Sequence, residues 1–263
     1  MDNASVIGLL LGVAGVLGGL LLEGGKVSQI LQPTAAIIVF GGTAGAVLLQ
    51  FPLPVVLTAL HRMAGIFSQP AARIEPEIDQ LVSYANIARR HGIVALDDEL
   101  PHVPDAFMRK VLTLAVDGIE PQELRKIAEQ ELDNQHEREE GCAQVFESAG
   151  GFSPTVGIIG AVMGLIQVMQ HLDKIDEVGR GIAVAFVATV YGVGAANLLF
   201  LPIAGKLRIR LREEQTRREM VLEGVISILE GMNPRILRTA LGSFLGRSEP
   251  APEEKVSAKA VGA

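Results

Sequence analysis

The sequence predicts an all-α integral membrane protein with four transmembrane helices and a helical cytoplasmic domain. Three observations carry this prediction. Four runs lack Asp, Glu, Lys and Arg altogether: Ala4–Leu22, Pro33–Pro54, Gly150–Val168 and Gly181–Gly205. Each approaches or exceeds the roughly 20 apolar residues that a bilayer core demands of a helix. Gly is frequent, at 29 of 263 residues, and charged residues make up only 20%, a mixture too apolar for an ordinary soluble domain. The cations are unevenly placed. Of 23 Lys and Arg, nine lie in 55–149 and eleven in 206–263, leaving Lys26, Lys174 and Arg180 in the two short connections. Positive side chains gather on the cytoplasmic side, so both termini and the long middle segment are expected inside.

The first run follows the leader MDNAS, which is acidic rather than basic and offers no small-residue cleavage site in a polar flank. It reads as a retained helix, not a signal peptide. Residues 1–54 therefore hold spans one and two. Residues 55–149 form a helical cytoplasmic loop. Ile78, Leu81, Val82, Ala85 and Ile87 give one stripe at helical spacing, with Gly92 as its stop. Asp105 is placed to cap a second helix, AFMRKVLTLAV. Pro121 suits the first turn of a third, which runs on towards span three. Residues 150–205 are spans three and four. In 206–263 the fourth helix continues inward through KLRIRLREEQTRREM, and the end, SEPAPEEKVSAKAVGA, has the composition of a disordered tail.

Small residues recur four apart at Gly8 and Gly12, Gly15 and Gly19, Gly41 and Gly45, and Gly160 and Gly164. Such pairs let helix backbones approach closely in lipid, so a tight, multimeric bundle is expected. Polar residues concentrate in the last two spans: Ser153, Pro154, Thr155 and Gln167 in the third, Thr189, Tyr191, Asn197 and Pro202 in the fourth. Polar groups at membrane depth must find partners or line water. Two helices with proline-freed carbonyls and hydroxyls would wall a wet passage. An ion path normally displays an ionisable group at that depth, and none of the four runs holds one. The carrier carboxylate is expected from a partner subunit.

Other chemistry is poorly supported. GGTAGA at Gly41 lacks the Lys-Ser/Thr of a phosphate loop, and GFSPTVG has Thr155 where a nucleophile elbow needs glycine. Cys142 is alone and the histidines show no metal spacing. No enzyme activity, cofactor, metal or nucleic-acid partner is expected. His171 beside Asp173, at the outer end of span three, reads as an interfacial histidine or a proton-entry relay.

GGFSPTVGIIGAVMGLIQVMQHLD followed by GRGIAVAFVATVYGVGAANLLFLPIAGKLR resembles the signature of the MotA/TolQ/ExbB ion-channel superfamily, and the four-span layout is similar to its MotA-type flagellar stator subunits. The resemblance implies an ion pathway built by Pro154, Thr155, Ala161, Ala188, Thr189, Tyr191 and Pro202. It implies a rotor-facing stretch, NIARRHGIVALDDEL, in which Arg89 or Arg90 is the key cation and Asp97, with Asp98 and Glu99 adjacent, the key acid. It further implies a homopentamer around a dimer of MotB-like single-span subunits that lend the ion-carrying aspartate, a rotor switch protein as partner, and the bacterial inner membrane as location. Sodium-driven relatives tend to carry Thr where this chain has Ala161 and Ala188. Hydroxyl oxygens help replace a metal cation's water shell, so the alanines point to protons rather than sodium. The alternative is a TolQ-like or ExbB-like energiser of an envelope system; a structural membrane scaffold is a third.

Overall fold

Proline placement explains where the first helices begin and end. The computed structural model describes residues 3–66 and 74–245, and the expected tail 248–263 lies outside them. Helix α1 is Asn3–Leu22, and a short 3-10 turn, Val27–Gln29, leads to α2, Pro33–Gln50. Pro33 at the first position of α2 needs no N–H partner there. The expected second run extends to Pro54, but α2 stops at Gln50. Phe51 is extended (φ −118°, ψ 143°) because the ring of Pro52 disfavours helical backbone in the residue before it. A separate helix, α3, then spans Leu53–Ile66.

Helix α4, Glu75–His91, ends at Gly92, whose φ of 87° is available at low cost only to glycine. Consecutive 3-10 turns over Ile93–His102 lead to α5, Ala106–Val116. Asp105 caps α5 as expected, its Oδ1 accepting from the Met108 N–H at 2.7 Å. Helix α6 runs unbroken over Pro121–Gln170 and α7 over Ile175–Leu229; both exceed their apolar runs, as the sequence anticipates. Helix α8 is Pro234–Gly242, capped by Asn233. Four helices are long and apolar enough to cross a membrane: α1, α2 and the apolar parts of α6 and α7.

Two of these helices contain a π turn, Ile37–Gly41 in α2 and Ala196–Phe200 in α7. The second immediately precedes Pro202. There the Leu201 N–H reaches back to the Ala196 carbonyl, and Pro202 has no N–H to offer. The wider turn lets the chain pass a proline without ending the helix.

The chain divides into two units, one of residues 1–71 with 134–213, the other of 72–133 with 214–263. In the first, α3 presents Ala59, Val55, Val56 and Met63 to Cys142, Phe146 and Ala204. Its opposite stripe, Leu53, Leu57 and Leu60, is exposed. The second unit has its own core, in which Leu81, Leu96, Met108, Leu112, Leu124, Met220, Leu237 and Leu241 are fully buried. Arg217 is buried in the same unit, with 7% of its side chain exposed, among Glu77, Asp105 and Glu214.

Candidate functional site

Spans three and four form an antiparallel hairpin whose seam is backbone against backbone. A β-carbon added at Gly157 would stand 2.9 Å from the Ala188 carbonyl oxygen; one at Gly164 would stand 2.8 Å from that of Gly181. At Gly192 it would stand 2.4 Å from the Ser153 carbonyl oxygen and 3.2 Å from the Pro154 Cα. Such approach is how membrane helices gain packing energy without a hydrophobic driving force. Of the four expected glycine pairs, Gly160 and Gly164 lie in this seam. A β-carbon at Gly12 would lie 3.1 Å from Leu198, whereas Gly8, Gly15, Gly19, Gly41 and Gly45 meet nothing within 4 Å in this chain.

The polar side chains divide into three kinds. Ser153 is fully buried and its hydroxyl donates across the seam to the Gly192 carbonyl at 3.0 Å, which ties the two helices beside Pro154. It is absent from the expected site residues; its place next to a membrane proline was the available signal. Thr155 and Thr189 donate instead to their own helices, to Phe152 at 2.7 Å and Ala185 at 3.3 Å. Their hydrogens are committed, but each oxygen keeps a lone pair for a water or an ion. Thr155 is exposed in the single chain and Thr189 half-buried.

Tyr191 belongs to a third kind. Its hydroxyl donates to the Ile30 carbonyl at 2.5 Å and accepts from the Gln32 N–H at 3.3 Å, and its ring lies 6.1 Å from that of Phe40. It fastens the α1–α2 connection to α7, so its hydroxyl is occupied within the chain. Ala188 is likewise committed: it is fully buried and opposes Gly160, where an added β-carbon would lie 2.8 Å from it. Its small size therefore has a packing reason. Ala161 is half-buried, as is Pro154, while Pro202 is exposed.

At the turn between α6 and α7, His171 Nδ1 lies 3.0 Å from the Gln167 carbonyl and Nε2 lies 3.3 Å from Glu177. Lys174 pairs with the same carboxylate at 3.1 Å. The histidine's acidic neighbour is thus Glu177 across the turn, not Asp173.

In the other unit, Arg89 and Arg90 stand exposed at the end of α4, and Asp97 and Asp98 are exposed in the 3-10 turns beyond Gly92. Glu99 is only half-exposed, and the Tyr84 phenol is pushed up by burial first and by the charge of Glu99 as well. This separates the three acids by exposure: Asp97 and Asp98 are open to an approaching partner, whereas Glu99 is half-buried. Among the described residues no group of three or more His, Cys, Asp or Glu is placed to hold a metal ion.

The chain matches two family models, "MotA/TolQ/ExbB proton channel family" over residues 99–220 and "Motility protein A N-terminal" over 6–92. It is 35% identical to Motility protein A of Bacillus subtilis (strain 168) over 246 residues, covering 93% of this chain and 91% of that one. It is 31% identical over 253 residues to chemotaxis protein PomA of Vibrio alginolyticus, covering 96% and 99%. Among solved structures it resembles MotAB of C. jejuni, with a TM-score of 0.89 at 30% identity over 95% of this chain and 98% of that one. It also resembles the flagellar MotAB stator complex of Bacillus subtilis, with a TM-score of 0.86 at 35% identity over 93% and 96%.

Proposed function

The chain belongs to the MotA/TolQ/ExbB proton channel family as a flagellar motor stator subunit, and on that premise we propose that it is the channel wall that couples inward proton flow to torque on a rotor. One observation carries the reading furthest. The α6–α7 hairpin brings Pro154, Ser153 and Gly192 together within two apolar runs, yet the four apolar runs contain no Asp, Glu, Lys, Arg or His. A hydrated route without its own carboxylate needs one lent by another chain. A MotB-like single-span partner, two copies within a pentamer of this chain, would supply it.

The direction of flow follows the inner-membrane placement, with both termini and the 72–133 segment cytoplasmic. Each charge crossing inward releases about 2.3 kcal/mol per 100 mV. Five wall subunits around two axle helices cannot all hold equivalent sites at once, so loading and release of successive protons favours rotation. The match of residues 6–92 to the Motility protein A N-terminal model, together with four spans, favours this over an envelope energiser of TolQ or ExbB type. The choice of protons over sodium rests on Ala161 more than on Ala188, since the latter is sealed within the hairpin. Rotation of tethered cells should persist in sodium-free medium and stop when an uncoupler collapses the proton gradient. Rotation lost on sodium removal alone would overturn the ion assignment.

Torque transfer would use the open charges of the other unit. Among the described residues Arg89, Arg90, Asp97 and Asp98 show no hydrogen bond or ion pair that would hold them back. Exposed pairs contribute about 0–1 kcal/mol each, which suits contacts made and broken at every step. Reversing both arginines, R89E with R90E, should lower stall torque severalfold while the amount of membrane-assembled protein stays unchanged. Wild-type torque from the double reversal would remove the gripping role.

A further inference from the structure

Thr43 is the one polar side chain of α2 sealed inside the chain, at 3% exposure, and its hydroxyl has no hydrogen-bond partner. Four other threonines donate to the carbonyl four residues back. Thr58 does so to Pro54 at 2.8 Å, Thr113 to Arg109 at 2.9 Å, Thr189 to Ala185 at 3.3 Å and Thr239 to Arg235 at 3.2 Å. The same acceptor for Thr43 is Val39. Val39 lies in the π turn Ile37–Gly41, and its carbonyl already receives the Gly42 N–H, which is shared with that of Ile38. The Thr43 hydroxyl does not make that bond, and a buried hydroxyl left unpaired is costly.

The position of Thr43 follows from its stripe. Ala35, Val39, Thr43 and Val47 are the buried face of α2. Ala35 and Val39 pack with Val187 and Ala188; Val47 packs with Ala149, Phe146 and Ala204. Close approach of Ile38 to Gly160 and of Gly42 to Val156 sets α2 antiparallel to α6 and puts Thr43 at the level of Pro154 to Val156. Pro154 offers no N–H to the Gly150 carbonyl, and Ser153 already sends its hydroxyl across the seam. Buried waters settle where two to four such groups converge.

We propose that Thr43 holds a buried water molecule between the second, third and fourth spans, beside Pro154, and that α2 thereby belongs to the polar wall of the proton route. The second clause rests on the stator reading; the water itself does not. GGTAGA, which has no role as a phosphate loop, acquires one as the helix segment that carries this hydroxyl.

The experiment uses the complex purified with its single-span partner and two variants, T43V and T43S. An unpaired hydroxyl and a water-bound one give thermal shifts of opposite sign. If the hydroxyl binds a bridging water, T43V lowers the Tm of the complex and T43S restores it. If it is merely unpaired, isosteric T43V raises the Tm by about 2–4 °C. A rise, or no change, overturns the water site. Proton uptake into vesicles loaded with a pH dye tests the second clause: T43V should slow it severalfold and T43S should not. A fall in Tm with unaltered uptake overturns the placement of α2 on the route. A wild-type complex that conducts no protons refutes the ion assignment and with it the second clause, and the Tm arm still decides the water.

Discussion

Replacing Gly192 with alanine abolishes rotation while leaving the protein in the membrane. The new methyl would stand 2.4 Å from the Ser153 carbonyl oxygen, 3.1 Å from the Gly157 Cα and 3.2 Å from the Pro154 Cα. All three are backbone atoms, so no rotamer change relieves the contact. The helices must separate, and the Ser153 hydroxyl bond to the Gly192 carbonyl goes with them. Overpacking of this kind costs about 1–3 kcal/mol, less than insertion of the spans gains. The expected outcome is therefore a hairpin that is inserted but misaligned at Pro154. Gly179→Ala is the control, because nothing lies within 4 Å of a β-carbon there and alanine is the better helix former. Swarming assays with membrane immunoblots read the result. Motility at the wild-type level in G192A would mean that the seam yields, and the hairpin could not then be the rigid wall of a channel.

That seam shows where reading from sequence reaches its limit. The four apolar runs, the cap at Asp105, the helix start at Pro121 and the stop at Gly92 are local signals and were legible. The hairpin's register is not local. Gly157, Gly181 and Gly192 belong to the seam as fully as Gly160 and Gly164 do, but a four-residue pattern marks only the last two. Helix α3 was hidden because Leu53, Leu57 and Leu60 make its outer face as apolar as its inner one, so it merges with the run before it. Tyr191 and Ala188 were placed on the ion route by resemblance, and geometry assigns their atoms to the Ile30–Gln32 connection and to Gly160. A hydroxyl's partner 161 positions away leaves no trace in the spacing of its neighbours.

Arg217 is the strongest instance of a long-range partner set, and its removal is expected to have the largest effect on the helical unit of 72–133 and 214–263. Its Nε and Nη2 form a fork on Glu214 at 2.9 and 2.8 Å, Nη2 also reaches Asp105 at 2.9 Å, and Nη1 binds Glu77. Asp105 accepts from Met108 with its other oxygen, so the same carboxylate caps α5 and anchors α7. Burial alone would raise all three acids. For Asp105 the Met108 amide and Arg217 outweigh it, and for Glu214 the guanidinium groups of Arg217 and Arg218 do, so both sit below their usual values. For Glu77 burial wins and the carboxyl is raised. Stripping one partner from a buried ion network costs about 3–5 kcal/mol, because the charges left behind are uncompensated. Arg217→Met should unfold or loosen α4 and α5, read as faster amide exchange over 75–116 with the spans unaffected. Lysine restores one charge but not the fork, so R217K should recover only part. The pH dependence carries the signature. In the wild type, depressed Asp105 and Glu214 contribute stability that is present above their unfolded pKa values and lost as the pH falls through the folded ones. Without Arg217, burial of Glu77 is unopposed, and its carboxyl takes up a proton in the folded unit before the unfolded chain does, while Glu214 keeps Arg218. Stability of R217M therefore rises as the pH falls from 7 towards 5, where Asp105 and Glu214 hold the wild type nearly level. An R217M unit that exchanges like the wild type at pH 7, or that weakens further on mild acidification, would show that Arg217 does not hold these helices together.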